Sequence, residues 1–251
     1  MPPPSIDLNA DLGETDGDLA LMAIVTSANI ACGGHAGDTR SMAAAVEAAV
    51  ARGVTIGAHP SYRDRSGFGR TELGLGAGEV ARDVVDQVAA LGGISSRVGG
   101  AISYLKLHGA LYHRANHDRG CADAILRALA DAVLGPLPVL AQPGAALLLA
   151  AGDLGWPGVE EGYCDRSYRS DGSLTDRGEA GAVHRSPEAA ARQAVEIAVG
   201  GGVHSLDGSF VKLRPASLCV HGDTPGALQV AAEVRRALEL AGVVLAPFAK
   251  S

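Results

Sequence analysis

The sequence predicts an α/β protein built on a parallel sheet. Short apolar runs of strand-like composition alternate with longer segments whose apolar residues recur at helical spacing. Glycine, proline and capping residues separate the two kinds of segment at most boundaries. About seven strands can be counted, most of them followed by a helix. Such alternation implies parallel pairing with right-handed crossovers, so a closed barrel and an open doubly wound sheet are the two candidates.

The first βα unit is the best supported. A strand begins near Ser5 in "SIDLNADLGE", and a second begins at Ser27 in "SANIACGGHAGD". The following helix is expected to have Asp38 as its N-cap and to stop at Gly53, a residue type that favours the left-handed cap conformation. One face of this helix is expected to be buried and carries Met42, Val46, Ala49 and Val50.

The middle of the chain continues the pattern. "VTIGAHP" from Val54 is strand-like, and a loop rich in glycine and arginine leads to a helix with Val80, Val84, Val88 and Leu91 at helical spacing. "SYLKLHG" is the next expected strand, and a helix is expected from about Asp118. "LPVLAQ" and "GVEEGYCDR" are two further strands, separated by the helical segment "GAALLLAAG".

The last third breaks the alternation once. Residues 165–186 are polar and rich in turn formers, with "SDGS" as an expected β-turn or hairpin. Ser186 and Pro187 then open a helix as N-cap and first residue. A small hairpin is expected in residues 200–217, followed by the strand "SLCV". The final helix is expected to start at Thr224 and Pro225 and to bury Leu228, Ala231, Val234 and Leu238.

Size and composition limit the classes of function. No linker-like shift in composition divides the chain, so one domain over residues 1–251 is expected. The formal charge is −7, with no run of basic residues, which argues against a nucleic-acid partner. Four scattered cysteines form no CxxC pair, and the N-terminal "MPPPSIDLN" does not resemble a secretory signal. A cytoplasmic protein without a membrane segment is expected.

Chemically capable side chains collect at the ends of the expected strands. In parallel α/β proteins the carboxyl ends of all strands open on one face, where catalytic groups gather. Asp38 and Asp223 also suit ordinary helix caps, but helix caps do not call for imidazoles. A functional site is therefore expected from these strand-end residues: Asn9, Asp11, Glu14, His35, Asp38, His59, Lys106, His108, His221 and Asp223.

Side-chain alternation suggests how these groups converge. In a regular strand Lys106 and His108 point to the same side, as do Asn9 and Asp11. A charged, desolvated pocket of this kind shifts pKa values toward general acid and base use. An acid with two histidines is also able to hold a divalent metal, although no HExxH or CxxC pattern is present. Arg70 in "GFGR" is either a loop cation for an anionic substrate or a solvated surface charge.

Six ordered blocks resemble the LamB/YcsF family. They run from Asp7 to Asp223, and so cover nearly the whole chain: "DLNADLGE", "ANIACGGHAGD", "GAHPSYRDRSGFGR", "KLHGALY", "DRSYRSDGSLTDRGEAGAV" and "CVHGD". The resemblance implies an irregular seven-stranded β/α barrel, TIM-like and related to the polysaccharide deacetylases. It also implies ATP-dependent opening of the 5-oxo-L-proline lactam to L-glutamate, carried out with two partner subunits, B and C.

The implied reaction suggests roles for the strand-end residues. Asp11 is expected as the base for water, with Lys106 and His108 as electrostatic donor and acid. The metal candidates are Asp11, His35 and His59. ATP with Mg²⁺ is the expected co-substrate, and since no GxxxxGK[ST] loop is present, ATP binds either the partners or a site of another kind here. Substrate binding is expected of Asn9, Glu14, His35, His59, Arg70, His221 and Asp223.

Two other functions remain open from the sequence. One is a metal-dependent amidohydrolase like the deacetylases of the related barrel type, which would hold a divalent ion through Asp11 and two histidines. The other is a noncatalytic subunit that regulates its partners, in which case mutation of the strand-end histidines would leave turnover unchanged.

Overall fold

The computed structural model describes residues 3–184, 186–223 and 226–249. In this part of the chain there are ten strands: β1 (Ser5–Leu12), β2 (Ser27–Ala31), β3 (Thr55–His59), β4 (Ile102–Leu105), β5 (Val139–Ala141), β6 (Gly158–Tyr163), β7 (Gly202–His204), β8 (Phe210–Lys212), β9 (Ser217–Val220) and β10 (Val244–Leu245). The α-helices are α1 (Thr39–Arg52), α2 (Ala77–Arg97), α3 (Gly109–His117), α4 (Arg119–Asp131), α5 (Ala146–Asp153), α6 (Pro187–Val195) and α7 (Ala227–Leu240). A 3₁₀ helix spans Asp18–Ala23, and a π-helical turn spans Glu196–Gly200.

Seven parallel strands close into a barrel in the order β1-β2-β3-β4-β5-β6-β9. Closure is made by β9, which pairs with β6 on one side and with β1 on the other, with Asp7 opposite Ser217 and Asn9 opposite Cys219. The barrel is therefore confirmed, and the open doubly wound sheet is excluded. The antiparallel pair β7 and β8 confirms the small hairpin expected before the last barrel strand.

The caps of α1 illustrate how local sequence sets the helix ends. The Asp38 side chain accepts hydrogen bonds from the backbone N–H groups of Arg40 and Ser41, both at 2.8 Å. At the other end Gly53 adopts the left-handed conformation, with φ of 66°. Both cap predictions are confirmed. The Ser186 cap of α6 is confirmed as well, since its side chain accepts from the backbone N–H of Ala189.

Two residues expected on buried helix faces are exposed. Val50 of α1 is 42% exposed and Leu228 of α7 is also 42% exposed, whereas the other members of both faces are buried. Val50 follows Ala49 directly, so it is turned by about 100° from that residue toward solvent. The Thr224 and Pro225 start expected for the last helix lies outside the described residues; Gly226 precedes its first described turn.

The strand expected in "SYLKLHG" is shorter than predicted. It ends at Leu105, and helix α3, which was not predicted, begins at Gly109 with His108 as its N-cap. Lys106 and His108 therefore follow the strand and do not belong to its regular alternation. Their backbone N–H groups still donate to the carbonyls of Ala58 and Pro60, at 3.0 and 2.9 Å, so they continue along β3. The two-residue β10, which pairs with the start of β1, was also missed.

The barrel has an apolar outside and a polar inside. Along β1, Leu8, Ala10 and Leu12 are buried in the core, while the intervening polar residues contact groups across the barrel interior. Alternation thus directs every second residue of β1 toward the site. Among the described residues, no helix combines the length and apolar character that crossing a bilayer requires.

Candidate active site

A cavity of about 620 Å³ opens at the carboxyl ends of the barrel strands. Its wall carries a carboxylate, an ammonium and several aromatic rings, among them Asp11, His59, Lys106, His108, Tyr163 and His221. Four arginines line the cavity as well, namely Arg70, Arg114, Arg166 and Arg177. The side chains of Arg70 and Arg177 are partly exposed at the mouth, whereas Arg166 is buried. The strand-end residues therefore do converge on one cavity, which is also rich in positive charge.

The Lys106 ammonium is the central charge of the barrel interior. Its Nζ lies 3.1 Å from Asp11 Oδ1, 3.2 Å from Glu161 Oε2 and 3.2 Å from Asn9 Oδ1. The fourth neighbour is Cys219 Sγ at 3.1 Å. Although burial opposes the charge, Asp11 and the other acidic neighbours hold the pKa of Lys106 well above its usual value. Sulfur is the weakest acceptor of the four, so that N–H is the easiest to redirect.

A hydrogen-bonded layer beneath Lys106 keeps Asp11 and Asn9 in place. Asn29 Nδ2 donates to Asn9 Oδ1 and to Asp11 Oδ1, each at 2.7 Å. Tyr104 donates to Asn29 Oδ1 at 2.6 Å, and Asn9 Nδ2 donates to Ser217 Oγ at 2.7 Å. Asn9 thus contacts the ammonium from the interior of the barrel and positions it.

At the lowest level of the barrel interior lies Asp7. Its carboxylate accepts from the hydroxyls of Thr26 and Ser27, both at 2.6 Å, and from that of Ser217. Burial raises the pKa of Asp7, and the three hydroxyls offset this only in part.

Three imidazoles and a carboxylate form a cluster at one side of the cavity, consisting of Glu14, His35, His59 and His108. His59 Nδ1 is 2.8 Å from the Lys106 carbonyl, and His108 Nε2 is 2.9 Å from the Phe68 carbonyl. Carbonyl oxygens only accept, so each of these nitrogens carries a proton. The opposite nitrogens, His59 Nε2 and His108 Nδ1, face each other at 3.0 Å.

His35 contacts both Glu14 of the cluster and Ser61 outside it. Its Nδ1 lies 2.9 Å from Ser61 Oγ, and its Nε2 lies 2.7 Å from Glu14 Oε1. The His35 ring stacks on that of His108, with centroids 3.6 Å apart and planes 3° from parallel. Burial, followed by the charge of Asp11, raises the pKa of Glu14 to about 8. Burial and the nearby His59 lower the pKa of His35 to about 3, so a neutral acid facing a neutral imidazole is favoured at this contact.

Asp11 and His59 favour their charged forms, in contrast to Glu14 and His35. Burial disfavours charge on Asp11, but His59 and Lys106 outweigh it and hold the pKa of Asp11 well below its usual value. Burial likewise opposes a charged His59, yet Asp11 raises the pKa of His59. Burial and the charge of His59 lower the pKa of His108. Asp11 is consequently ionised and His108 neutral.

His221 is paired with an acid that the sequence analysis did not select. Its Nδ1 lies 2.9 Å from Asp165 Oδ1, and its backbone N–H donates to Asp165 Oδ2 at 3.0 Å. Burial opposes the charge of Asp165, but His221 lowers the pKa of Asp165 overall. The His221 ring stacks on Tyr163, with centroids 5.5 Å apart. With the Nδ1 proton donated to Asp165, Nε2 has no hydrogen-bond partner within the described part of the chain.

The loop over residues 60–76 closes over the histidine cluster. Arg70 pairs with Asp223 and is 40% exposed at its side chain, and Arg177 NH1 lies 4.0 Å from the same carboxylate. Gly69 has φ of +65°, and a Cβ there would lie 2.8 Å from His35 Cβ. Asp223 is thus an ion-pair partner at the mouth of the cavity.

The structure sorts the sequence-selected residues by position. Asp11, His59, Arg70, Lys106, His108 and His221 line the cavity. Glu14 and His35 lie behind its wall, Asn9 lies beneath Lys106, and Asp38 caps α1 away from the site. Three residues of the site were not predicted from the sequence: Glu161, Tyr163 and Asp165. A signal was present in "GVEEGYCDR", because Asp165 follows a predicted strand end just as the selected residues do.

Two groups of described residues have the donor atoms for a metal ion. The first comprises Glu14, His35, His59 and His108, and the second comprises Asp11, Cys219 and His221; within each group the ligand atoms lie within 4.8 Å of one another. The three candidates selected from the sequence are thus divided, with His35 and His59 in the first group and Asp11 in the second.

Comparisons with known proteins point in one direction. The family model described as the LamB/YcsF family matches residues 6–251. The chain is 48% identical to the 5-oxoprolinase A subunit of Streptomyces coelicolor, over 97% of this chain and 100% of that protein. It is 42% identical to a 5-oxoprolinase A subunit of Pseudomonas syringae pv. tomato, over 98% of each.

Two solved structures share the barrel fold of this chain. The lactam utilization protein of Thermus thermophilus superposes with a TM-score of 0.90 at 40% identity, over 97% of this chain and 100% of that one. A family 4 carbohydrate esterase of Streptomyces lividans has a TM-score of 0.51 at 13% identity, covering 96% and 91% of the two chains, and shares the fold only.

Proposed function

The chain belongs to the LamB/YcsF family, and from this membership and its site we propose that it is the catalytic component of an ATP-dependent 5-oxoprolinase. The reaction proposed is hydrolysis of the 5-oxo-L-proline lactam to L-glutamate. The relatives are named as one lettered component of their enzyme, which implies a multi-subunit complex, and we propose that two partner subunits, B and C, complete this one. The Thermus protein, named for lactam utilization, supports the substrate class.

The chemistry of a lactam supports a role for ATP. An unstrained five-membered lactam is a poor electrophile, so phosphorylation of its amide oxygen before water attacks is the proposed route. Both the substrate carboxylate and a phosphoryl group are anions, and the arginines at the mouth of the cavity are suited to bind them. ATP with Mg²⁺ is proposed as co-substrate, bound either by the partners or by this chain at a site without the P-loop pattern.

The observation that carries the proposal is that His221 Nε2, which has no partner among the residues that the structure describes, shares one cavity with the Lys106 ammonium. We propose that this nitrogen takes a proton from the attacking water while Asp165 stabilises the resulting imidazolium. The same proton then passes to the lactam nitrogen as the C–N bond breaks, which leaves an acyl phosphate. A second water cleaves this acyl phosphate, so that L-glutamate and inorganic phosphate are released. Lys106 is the proposed oxyanion donor, through the N–H that otherwise points to Cys219.

This assignment moves two roles away from the residues first expected to have them. Asp11 Oδ1 already accepts from Lys106 and Asn29, and the low pKa of Asp11 makes it a weak base. His108 has its proton on Nε2, where it donates to the Phe68 carbonyl, and so has none to give to a leaving nitrogen. Asp11 is therefore proposed to hold Lys106 and His59 in place, as an electrostatic and positioning residue.

The test is an assay of glutamate and phosphate release from 5-oxoproline and ATP, with and without the two partner subunits. Wild-type chain in the complete mixture is expected to release both products, and His221→Asn to lose about 10²–10⁴-fold in kcat. Asp153→Asn, a change in an exposed ion pair with Arg119, serves as the matched control and is expected to retain full turnover. No glutamate from the complete wild-type mixture would overturn the proposed function.

The assay also separates catalysis from regulation. His108→Ala and Asp11→Asn are expected to reduce lactam opening because both contact His59. If the His221, His108 and Asp11 variants all retained wild-type turnover, this chain would be a noncatalytic subunit.

A further inference from the structure

The geometry points to a divalent metal site formed by Glu14, His59 and His108, with His35 as a positioning residue for Glu14. This inference goes beyond the proposed function, because lactam opening through His221 and Lys106 uses no ion held by Glu14, His59 and His108. Two imidazoles and one carboxylate are a ligand set used for catalytic zinc and for iron(II), each with positions left open.

The ring nitrogens of His59 and His108 that face the cluster are the ones not bonded to the backbone. His59 donates its Nδ1 proton to the Lys106 carbonyl, and His108 donates its Nε2 proton to the Phe68 carbonyl. Both rings are therefore held from outside the cluster by backbone acceptors, which is how ligating histidines are oriented in metal sites. Their remaining nitrogens point toward each other and toward Glu14, and His59 Nε2 also faces Asp11 Oδ2 at 3.4 Å.

The spacing of the three ligand atoms fits coordination of a single ion. Glu14 Oε1 lies 3.4 Å from His108 Nδ1 and 3.7 Å from His59 Nε2, and the two nitrogens are 3.0 Å apart. Ligands about 2.1 Å from one ion, at angles of about 90–125°, are separated by about 3.0–3.7 Å. A proton on His59 Nε2 or a metal ion between the two nitrogens offsets the repulsion of their lone pairs, so the site is suited to a cation at its centre.

His35 differs from the three ligands in its distance to Glu14 and in the plane of its ring. Its Nε2 lies 2.7 Å from Glu14 Oε1, which is a hydrogen-bond distance and shorter than the spacing expected of two ligands on one ion. Its ring is stacked parallel to that of His108, so an ion in the plane of His108 lies outside the plane of His35. The Ser61 hydroxyl donates to the Tyr62 carbonyl and lies 2.9 Å from His35 Nδ1, so it fixes the ring from one side, and the contact at Nε2 holds the Glu14 carboxyl in place from the other.

The second group of donor atoms is already filled by a cation of the chain. Lys106 Nζ lies 3.1 Å from Asp11 Oδ1 and 3.1 Å from Cys219 Sγ, so an ion there would meet the ammonium. His59 and His108 line the cavity, which gives an ion at the first group a route from solvent. A bound ion at that place would supply a Lewis acid or a water of lowered pKa.

Metal binding itself is the test, and it needs no activity. Untagged full-length chain is stripped with chelator, titrated with Zn²⁺ and Co²⁺, and analysed for metal content and for affinity by chelator competition. One tight ion per chain is expected. Glu14→Gln and His59→Asn are each expected to weaken Zn²⁺ binding by at least about 100-fold, and His35→Asn by about 10–100-fold. His204→Asn, in the exposed pair with Glu196, is the matched control and should leave Zn²⁺ affinity unchanged.

X-ray absorption of the wild-type zinc protein keeps the inference testable if a variant fails to fold. Two imidazoles with oxygen completing the shell are expected, without sulfur. A sulfur neighbour at about 2.3 Å would assign the ion to Cys219 and overturn the inference. Absence of tight Zn²⁺ and Co²⁺ binding to folded wild-type protein, or equal binding by Glu14→Gln, would overturn it too. Failure of the lactam assay alone would not, so the two proposals fail separately.

Discussion

His221 and Asp165 are joined twice, because the imidazole Nδ1 lies 2.9 Å from one carboxylate oxygen and the backbone N–H of His221 donates to the other at 3.0 Å. The double contact fixes both the tautomer and the orientation of the ring. Asp165→Asn is therefore expected to keep the fold but to lower kcat by about 10²–10⁴-fold, since an amide allows the wrong tautomer. The measurement is the pH profile of kcat alongside a thermal melt.

One outcome for Asp165→Asn would contradict the proposed role of His221. If Asp165→Asn lowered thermal stability but left kcat and its pH profile unchanged, the pair would be structural, and His221 would not be the base. Asp86→Asn, at an exposed partner of Arg63, controls for the loss of one carboxylate.

Lys106 stabilises the barrel as well as serving the site. Lys106→Met removes the ammonium from between the buried carboxylates of Asp11 and Glu161, and is expected to lower the free energy of unfolding by about 3–5 kcal/mol. Adding Asp11→Asn to Lys106→Met is expected to recover part of that loss, because one uncompensated charge disappears. Urea denaturation of the two single variants and the double variant measures the coupling.

The matched control for this prediction is an exposed lysine. Lys212→Met, on the surface of β8, is expected to change the free energy of unfolding by less than about 0.5 kcal/mol. Strictly additive losses in the Lys106 and Asp11 variants would show that the two groups do not interact.

The burial of Asp7 predicts that the free energy of unfolding depends on pH. Burial raises the pKa of this carboxyl above its ordinary value of about 3.9, so the folded state binds its proton more tightly than the unfolded state does. The stabilisation from the bound proton is complete below the unfolded pKa and is lost as pH rises through the folded pKa. Asp7→Asn removes this dependence.

Comparison of two pH values checks the sign. The loss of unfolding free energy caused by Asp7→Asn is expected to be larger near pH 4 than near pH 7 when both proteins are unfolded with urea. A loss that grew with pH would mean that the Thr26, Ser27 and Ser217 hydroxyls outweigh burial.

Two glycines of one loop differ in what surrounds them. Gly69 and Gly74 have φ of +65° and +64°, but only at Gly69 would a Cβ meet other atoms, 2.8 Å from His35 Cβ and 2.9 Å from His108 Cδ2. Both alanine variants are expected to lose about 1–2 kcal/mol from the left-handed backbone. Gly69→Ala is expected to lose about 1–3 kcal/mol more and to lower turnover, because the loop must shift from the histidine rings. Equal unfolding free energies would contradict the close packing.

Much of the fold was predictable because it depends on local rules. Asp38 and Gly53 bound α1 through cap chemistry, which involves only neighbouring residues. The unpredicted α3 and β10 are short, and their formation depends on contacts distant in sequence, such as the pairing of Ser5 with Val244. The shortened β4 is another such case, since Gly109, with φ of 56°, turns the chain into a helix where alternation alone predicted a strand.

The site was predictable as a set of residues but not as a set of roles. Acids, imidazoles and one scarce lysine follow several predicted parallel strands in the sequence, and parallel strands bring their carboxyl ends to one face. Which of these groups carry charge depends instead on the contacts that they make in the folded barrel. Asp11 and Glu14 are three residues apart, yet their pKa values are shifted in opposite directions. His59 and Lys106 outweigh burial and lower the pKa of Asp11, whereas burial and the charge of Asp11 raise the pKa of Glu14. Protonation depends on burial and on partners far away in the chain, and those exist only once the barrel has closed.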